Sequence, residues 1–282
     1  MTLAIRPLSE ALGAEVIDAD LTKPLAAADA RAVEQAFFDH HLLCFRTAPL
    51  DRGDFARAAR YFGEPQVQLL RYQRDGEFAE VSILESTYKK PEDKPDDLAL
   101  VRLSGWHTDD SYFEVPAKAT MLQSLAIPDS GGQTKFSNTR RAWETLPEPR
   151  QRELAGLRAV HGYDTMRAPA RAKKRTQEEI DETPDVVHPL IRTHDDTGRK
   201  AIYLNPNRTD RIVGWERAAS DAVLDELYAR ITRPEFQYHH EWRLGDLLLW
   251  DNRCLVHAVN TDFPVGQKRL HQRILLKGTR PV

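Results

Sequence analysis

His107 and Asp109 stand one residue apart in the segment Ser104-Gly105-Trp106-His107-Thr108-Asp109-Asp110. In extended backbone, residues i and i+2 project to the same side, so one imidazole nitrogen and one carboxylate oxygen can face a single metal ion. A second histidine must come from elsewhere in the chain, and His257, closing the strand-like run from Leu247 onward, is the best placed. His107, Asp109 and His257 together would make a two-histidine, one-carboxylate triad, which leaves about three of six octahedral positions open on non-haem Fe(II). Open positions are what oxygen activation requires.

The spacing alone is weak evidence, because His194-Asp195-Asp196 has the same pattern and its continuation, Thr197-Gly198, suits a hairpin turn. Taken singly, His107 reads equally as a hydrogen-bonded histidine beside a core tryptophan, and His257 as a satisfied core histidine at a strand end. Two arginines downstream alter that balance. Arg269 and Arg273 are related as i and i+4, so an extended segment would put both guanidinium groups on one face. Arginine keeps its charge and can hold a carboxylate through two parallel hydrogen bonds. Lys268 beside them leaves open a solvated amphipathic strand.

The surrounding pattern predicts many short strands with a few helices. Helices are expected over Ala27 to His40, Asp51 to Tyr61, Thr139 to Thr145, Glu148 to Leu154 and Trp215 to Thr232. Strand-like segments include Ala14 to Ile17, Ala119 to Leu125, Thr134 to Phe136, His188 to Thr193, Asp246 to Trp250, Val256 to Val259 and His271 to Leu276. This mixture argues for an α+β chain built on a β-sandwich or barrel. The polar stretches 85–104 and 164–185 read as excursions from the core and are candidate lids. No repeat or low-complexity linker divides residues 1–282, so a single domain is expected.

With 282 residues, a sizeable core needs neither disulfide nor metal to hold it. Cys44 and Cys254 are the two cysteines, which excludes a disulfide scaffold and a four-cysteine zinc module. Forty basic against forty-three acidic side chains give a net charge of -3, which argues against a nucleic-acid groove. No apolar run has the length of a membrane span and the amino terminus lacks the features of a secretory signal, so a cytoplasmic protein without membrane attachment is expected.

Over nearly its whole length the sequence resembles the taurine dioxygenase and aryloxyalkanoate (2,4-dichlorophenoxyacetate) dioxygenase family of Fe(II)/2-oxoglutarate enzymes. The ordered motifs are Gly13-Ala14-Glu15-Val16, Trp106-His107-Thr108-Asp109, Gly131-Gly132-Gln133-Thr134, Trp250-Asp251-Asn252-Arg253, His257, Arg269 and Arg273. The resemblance implies a double-stranded β-helix, a jelly-roll, cupin-like barrel with the iron at its open end and flanking helices. It implies that His107, Asp109 and His257 are the iron ligands, and that Thr134 and Arg269 hold the distal carboxylate of 2-oxoglutarate. Arg273 would reach the inner carboxylate of that cosubstrate or an anionic group on the substrate. The implied reaction consumes O2, converts 2-oxoglutarate to succinate and CO2, and hydroxylates a C–H bond. Asp109 fills the position that related halogenases leave vacant for chloride, so oxygenation is expected.

Taurine-specific members carry histidine and tyrosine before the first lid and asparagine just ahead of the His-x-Asp motif. This chain has Gln66-Val67-Gln68-Leu69-Leu70-Arg71 and Leu103-Ser104-Gly105 instead, which points away from taurine. Tyr163 falls where the family has an aromatic substrate wall, and Arg208 replaces a second aromatic position. A larger or more anionic substrate is expected, such as a longer alkyl sulfonate or sulfate, or an aryloxy or other carboxylate. Alternatively, Arg208 pairs with an acid at the surface. The resemblance further implies a homodimer or homotetramer. A zinc or manganese hydrolase with the same three ligands, or a non-catalytic small-acid-binding protein on the same barrel, are the rival readings. Neither a hydrolase's general-base glutamate nor another use for Thr134 and Arg269 is evident in the sequence.

Overall fold

The computed structural model describes residues 3–69, 71–90, 105–168 and 176–282. Strands β1 (Ala4–Pro7) and β2 (Ala14–Ile17) pair antiparallel, and β2 then runs parallel to β3 (Leu42–Phe45). Between them lies α1 (Ala27–His40), which buries Val33, Ala36 and Phe37 and ends where His41 enters the left-handed region at φ 63°. Helix α2 (Arg52–Ala59) starts at Asp51, whose carboxylate accepts the Asp54 amide at 2.7 Å, and it buries Phe55, Ala56, Ala58 and Ala59.

The short strands β4 (Pro65–Gln66) and β5 (Ser82–Glu85) follow, then β6 (Ala119–Ala126) and β7 (Thr134–Asn138). Two small helices, α3 (Thr139–Glu144) and α4 (Glu148–Leu154), lead to β8 (Arg158–His161). After α5 (Gln177–Asp181) come β9 (Val186–Pro189), β10 (Ile191–Thr193), β11 (Lys200–Ile202) and β12 (Thr209–Ile212). The long helix α6 (Arg217–Ile231) precedes β13 (Gln237–His240), β14 (Leu247–Asp251), β15 (Leu255–Val259) and β16 (Leu270–Leu276).

The largest sheet has the order β1-β2-β3-β14-β6-β16-β4, with β5 also paired to β16, and a three-stranded sheet β13-β7-β15 stands apart from it. Apart from β2 with β3, every pairing among the described strands is antiparallel. One face of the large sheet packs Phe45, Met121, Leu249 and Ile274 against Phe37 of α1 and Phe55 of α2. Leu42, Leu122, Leu248 and Trp250 share a second apolar cluster with Phe136 and Leu255 of the smaller sheet. A third core beneath α3 and α6 gathers Trp143, Leu190, Leu224, Leu227 and Ile231. A mixed architecture rich in antiparallel strands is therefore observed.

The strand expected over His188 to Thr193 is instead divided at Leu190. Pro189 has no amide hydrogen to continue a ladder, and the chain changes partners there: β9 pairs with β8, β10 with β11. Asp195 to Gly198 do form the turn between β10 and β11, with the Gly198 amide bonded to the His194 carbonyl at 2.8 Å. Within the stretch 164–185, α5 is a helix where a loop was expected. Thr176 and Glu179 satisfy each other's amides in a capping box, and Glu179 is buried. Residues 91–104 and 169–175 of the two candidate lids lie outside the described residues. No described helix is long and apolar enough to cross a membrane.

Candidate active site

The structure brings His107, Asp109 and His257 together, each offering a ligand atom within 4.8 Å of the others. The join is made by backbone. His107 donates its amide to the His257 carbonyl at 2.9 Å and accepts the His257 amide at 2.7 Å, so two residues remote in sequence face one another with ring centroids 4.1 Å apart. The His107 Nδ1 lies 2.9 Å from the Gly105 carbonyl oxygen, which can only accept, so the hydrogen sits on Nδ1 and the Nε2 lone pair is left for a cation. The His257 ring is packed between Trp250 and Phe136. Burial drives its pKa down to about 3, so the ring is neutral and able to serve as a ligand.

Asp109 is held by a directed chain of hydrogen bonds. Trp250 Nε1 donates to Asn252 Oδ1 at 3.0 Å, Asn252 Nδ2 to Thr120 Oγ1 at 2.8 Å, and Thr120 Oγ1 to Asp109 Oδ2 at 2.6 Å. The other carboxylate oxygen lies 3.8 Å from His107 Nε2 and 3.7 Å from Arg273 Nη1. Burial opposes ionisation of Asp109, but His257, Arg273, His107 and the Thr120 hydroxyl together outweigh it and hold the pKa below the ordinary value. Thr120 and Asn252 were not anticipated as site residues. Asn252 had a signal, the Trp250-Asp251-Asn252-Arg253 motif, whereas Thr120 looks like any β-branched strand residue.

Thr134 and Arg269 also meet. Arg269 Nη2 donates to Thr134 Oγ1 at 3.2 Å and Arg269 Nε to the Gly132 carbonyl at 3.0 Å. Gly131 and Gly132 both adopt φ +70°, and a Cβ on Gly131 would sit 2.6 Å from Asp262 Oδ1, so the tight turn that aims this carbonyl requires glycine. Arg269 is only 4% exposed, and no carboxylate among the described residues pairs with it. Burial lowers its pKa to about 10, which still leaves it charged at neutral pH. An unneutralised guanidinium in such a position calls for an anion.

Arg273 lies further along β16, where Nη2 donates to Gln68 Oε1 at 2.7 Å and Nε is buried without a partner. It lines a cleft of about 340 Å³ with His107, Asp109, Tyr112, Tyr163 and Arg208. Among the described residues Arg208 has no ion-pair partner and packs on aromatic rings instead. Its guanidinium sits 4.3 Å from the Tyr163 ring centroid and 5.5 Å from that of Tyr112, and it donates to the Tyr163 carbonyl. Beside them Asp110, at φ 58°, accepts from Tyr112 Oη and Gln66 Nε2, while burial and repulsion from Asp109 raise its pKa to about 6.

Among the described residues, two further groups combine histidine, cysteine and aspartate, and their carboxylates are already committed. Asp251 is bonded by His194 and Arg253, and Asp246 by His240, Arg46 and a backbone amide. Burial pushes the Cys44 thiol up to about 12 and the Cys254 thiol well above its ordinary value, as suits inert core residues. Among the described residues, the metal-competent group that opens on a cleft is thus His107, Asp109 and His257, of which the first two line it.

The family model for taurine catabolism dioxygenase TauD, TfdA family, matches residues 4–275. The chain belongs to this family. One TauD/TfdA relative, the alpha-ketoglutarate-dependent 2,4-dichlorophenoxyacetate dioxygenase of Cupriavidus pinatubonensis, is 31% identical over 91% of this chain and 92% of its own. The alpha-ketoglutarate-dependent sulfate ester dioxygenase of Pseudomonas putida is 30% identical, over 100% of this chain and 92% of its own. The crystal structure of a taurine dioxygenase from Burkholderia xenovorans superposes with a TM-score of 0.85 at 29% identity, covering 100% of this chain and 91% of that one.

Proposed function

We propose that this member of the TauD/TfdA family is an Fe(II)- and 2-oxoglutarate-dependent dioxygenase that hydroxylates a small organic anion. The observation that carries the reading is the pairing of the triad with the buried Arg269, which has no carboxylate partner among the described residues. On the sheet, His257 stands opposite Phe136 and Val259 opposite Thr134. His257 and Thr134 are therefore diagonal neighbours on one face, roughly 7–8 Å apart. A five-carbon diacid can span that gap, with its keto-acid end at the triad and its far carboxylate on Arg269 and Thr134.

Two imidazoles and one carboxylate suit ferrous iron, and His107, Asp109 and His257 would hold it. Bound iron supplies the redox chemistry that couples O2 reduction and decarboxylation of 2-oxoglutarate, to succinate and CO2, with hydroxylation of a C–H bond. The chain's own residues bind and orient. Thr120 fixes the Asp109 carboxylate, Gly105 fixes the His107 ring, and Arg269 with Thr134 aligns the diacid. Arg273 stands beside Asp109 with donors to spare for the inner carboxylate or a substrate anion.

Arg208, stacked on Tyr163, is the reception point for the substrate's anionic group, and the Tyr112 and Tyr163 rings form the wall for its apolar part. The names of the relatives include a chlorinated phenoxyacetate and sulfate esters, which share this anionic character. The same reading has one domain over residues 1–282, a cytoplasmic homodimer or homotetramer, and a double-stranded β-helix whose faces are the large sheet and the β13-β7-β15 sheet. The apolar cluster between those sheets supports that last assignment.

Anaerobic optical titration with Fe(II) and then 2-oxoglutarate tests the proposal. A weak visible charge-transfer band is expected in the parent, absent in His107→Ala and weakened in Arg269→Ala, with succinate released once O2 and a substrate are admitted. Tight zinc binding without such a band would turn the assignment to a hydrolase, and binding without succinate to a non-catalytic protein.

A further inference from the structure

We propose that Trp242 is a positioning residue for the cosubstrate: its indole N–H occupies one lone pair of the Thr134 hydroxyl and so turns the hydroxyl hydrogen toward the incoming carboxylate. This rests on the dioxygenase reading above and adds a residue that does not touch the cosubstrate itself. Trp242 Nε1 donates to Thr134 Oγ1 at 3.1 Å, and Arg269 Nη2 donates to the same oxygen at 3.2 Å. Tryptophan and arginine side chains only donate, and a hydroxyl has two lone pairs and one hydrogen. Both lone pairs are therefore used, the Thr134 side chain is 1% exposed, and its hydrogen has no acceptor among the described residues. What remains is one O–H donor beside a cationic guanidinium, a pair complementary to a carboxylate.

The indole is itself held in place. Its ring meets His240 edge to face at 4.8 Å and His271 at 4.5 Å. His240 is fixed at both nitrogens, by Tyr238 Oη at 3.1 Å and Asp246 Oδ2 at 3.1 Å. His271 follows Arg269 by two residues along the chain, and its ring nitrogens are buried without partners. His240 is paired in register with Thr134 across β13 and β7, so the clamp and the hydroxyl it aims share one sheet. Without the indole donor, one lone pair of Thr134 is freed and the hydroxyl can rotate away from the cosubstrate.

The test compares the parent, Trp242→Phe, Thr134→Val and the double variant by equilibrium binding of 2-oxoglutarate to the iron-loaded protein without O2, read from the charge-transfer band. Pyruvate, a 2-oxo acid with no distal carboxylate, is the control ligand. Trp242→Phe should weaken 2-oxoglutarate about three- to tenfold, the range of one neutral hydrogen bond, and leave pyruvate unchanged. In turnover, KM for 2-oxoglutarate should rise with kcat unchanged, and Trp242→Phe should have no further effect once Thr134 is valine. Benzothienylalanine at position 242, which replaces the indole N–H by sulfur, gives the same comparison if the phenylalanine variant does not fold. Equal weakening for pyruvate, additive losses in the double variant, or no change would each overturn the inference, leaving Trp242 a packing residue. Absence of any iron-dependent 2-oxoglutarate binding in the parent would instead overturn the dioxygenase reading, and this inference with it.

Discussion

Replacing Thr120 by valine is the sharpest test of how the metal site is built. The exchange is close to isosteric at a position with no exposed surface, and it removes the hydroxyl that stands 2.6 Å from Asp109 Oδ2. A hydrogen bond to a charged acceptor contributes about 1.5–3 kcal/mol, so metal affinity should fall roughly 10- to 150-fold. Loss of a partner behind a metal ligand commonly costs about 10–100-fold, in agreement. A second effect travels with it, since Asn252 Nδ2 loses its acceptor at 2.8 Å and is left as a buried donor, costing about 1–3 kcal/mol of fold stability. For a chain of this size the melting temperature should drop by about 2–4 °C per kcal/mol. Competition titration of Fe(II) or Mn(II) against a chelator under nitrogen, beside thermal melts of the metal-free protein, separates the two effects. Thr120→Ser should recover both. A valine variant that melts earlier but binds metal within twofold of the parent would refute the reasoning and confine the bond to structural support.

Arg208→Ala should raise KM for the anionic substrate about tenfold, equivalent to roughly 1.4 kcal/mol, with kcat within twofold; an unchanged KM removes Arg208 from the substrate site. Arg253→Leu removes the guanidinium that pairs with the fully buried Asp251 carboxylate through Nε and Nη2, leaving it the His194 ring and the residue-253 amide, and should cost about 3–5 kcal/mol of stability in chemical denaturation. A loss under 1 kcal/mol would show the carboxylate to be reached by water. Acid should destabilise the fold early. Burial holds His41 at about 3 and His188 at about 4, and drives His161 and His271 well below the usual value. These folded values lie below the unfolded one, so the unfolded state binds more protons; stability is complete above about pH 6.5 and falls with pH toward the folded values. At pH 5 each such histidine costs about 2 kcal/mol, so a melting temperature that stays flat from pH 7 to 5 would contradict the neutral, buried rings.

The parts of the site legible in the sequence are those whose chemistry lies in neighbouring residues. His107 and Asp109 could be read because their spacing projects both to one side, whereas Gly131-Gly132 entered only as part of a motif that carries the family resemblance, and its turn at positive φ is visible in the structure alone. His257 was named as the second histidine and the structure does bring it to His107, but that opposition depends on a backbone bridge that no local pattern encodes. Thr120 and Trp242 were missed for the same reason: each becomes a site residue through one contact across strands. Arg208 was left between pocket and surface because Tyr112 and Tyr163 converge on it only in the fold. Strand β12 passed unnoticed, being a short stretch of mixed polarity, and the capping pattern at Thr176 was masked by the charge around it.

The position of β16 within the large sheet has a consequence for the order of events during synthesis. This strand lies between β6 and β4 and carries Arg273, with Arg269 just ahead of it, although it is made after every other described strand of that sheet. Arg269 meets Thr134 across a sequence separation of 135 residues. Contacts this distant form late, because a long loop must close before they repay it. A ribosome-bound chain halted just before Arg269 would have made all three candidate ligands and still lack both arginines and an interior strand of the large sheet. The proposed cosubstrate clamp of Arg269 and Thr134 can therefore close only after all three candidate metal ligands have been made.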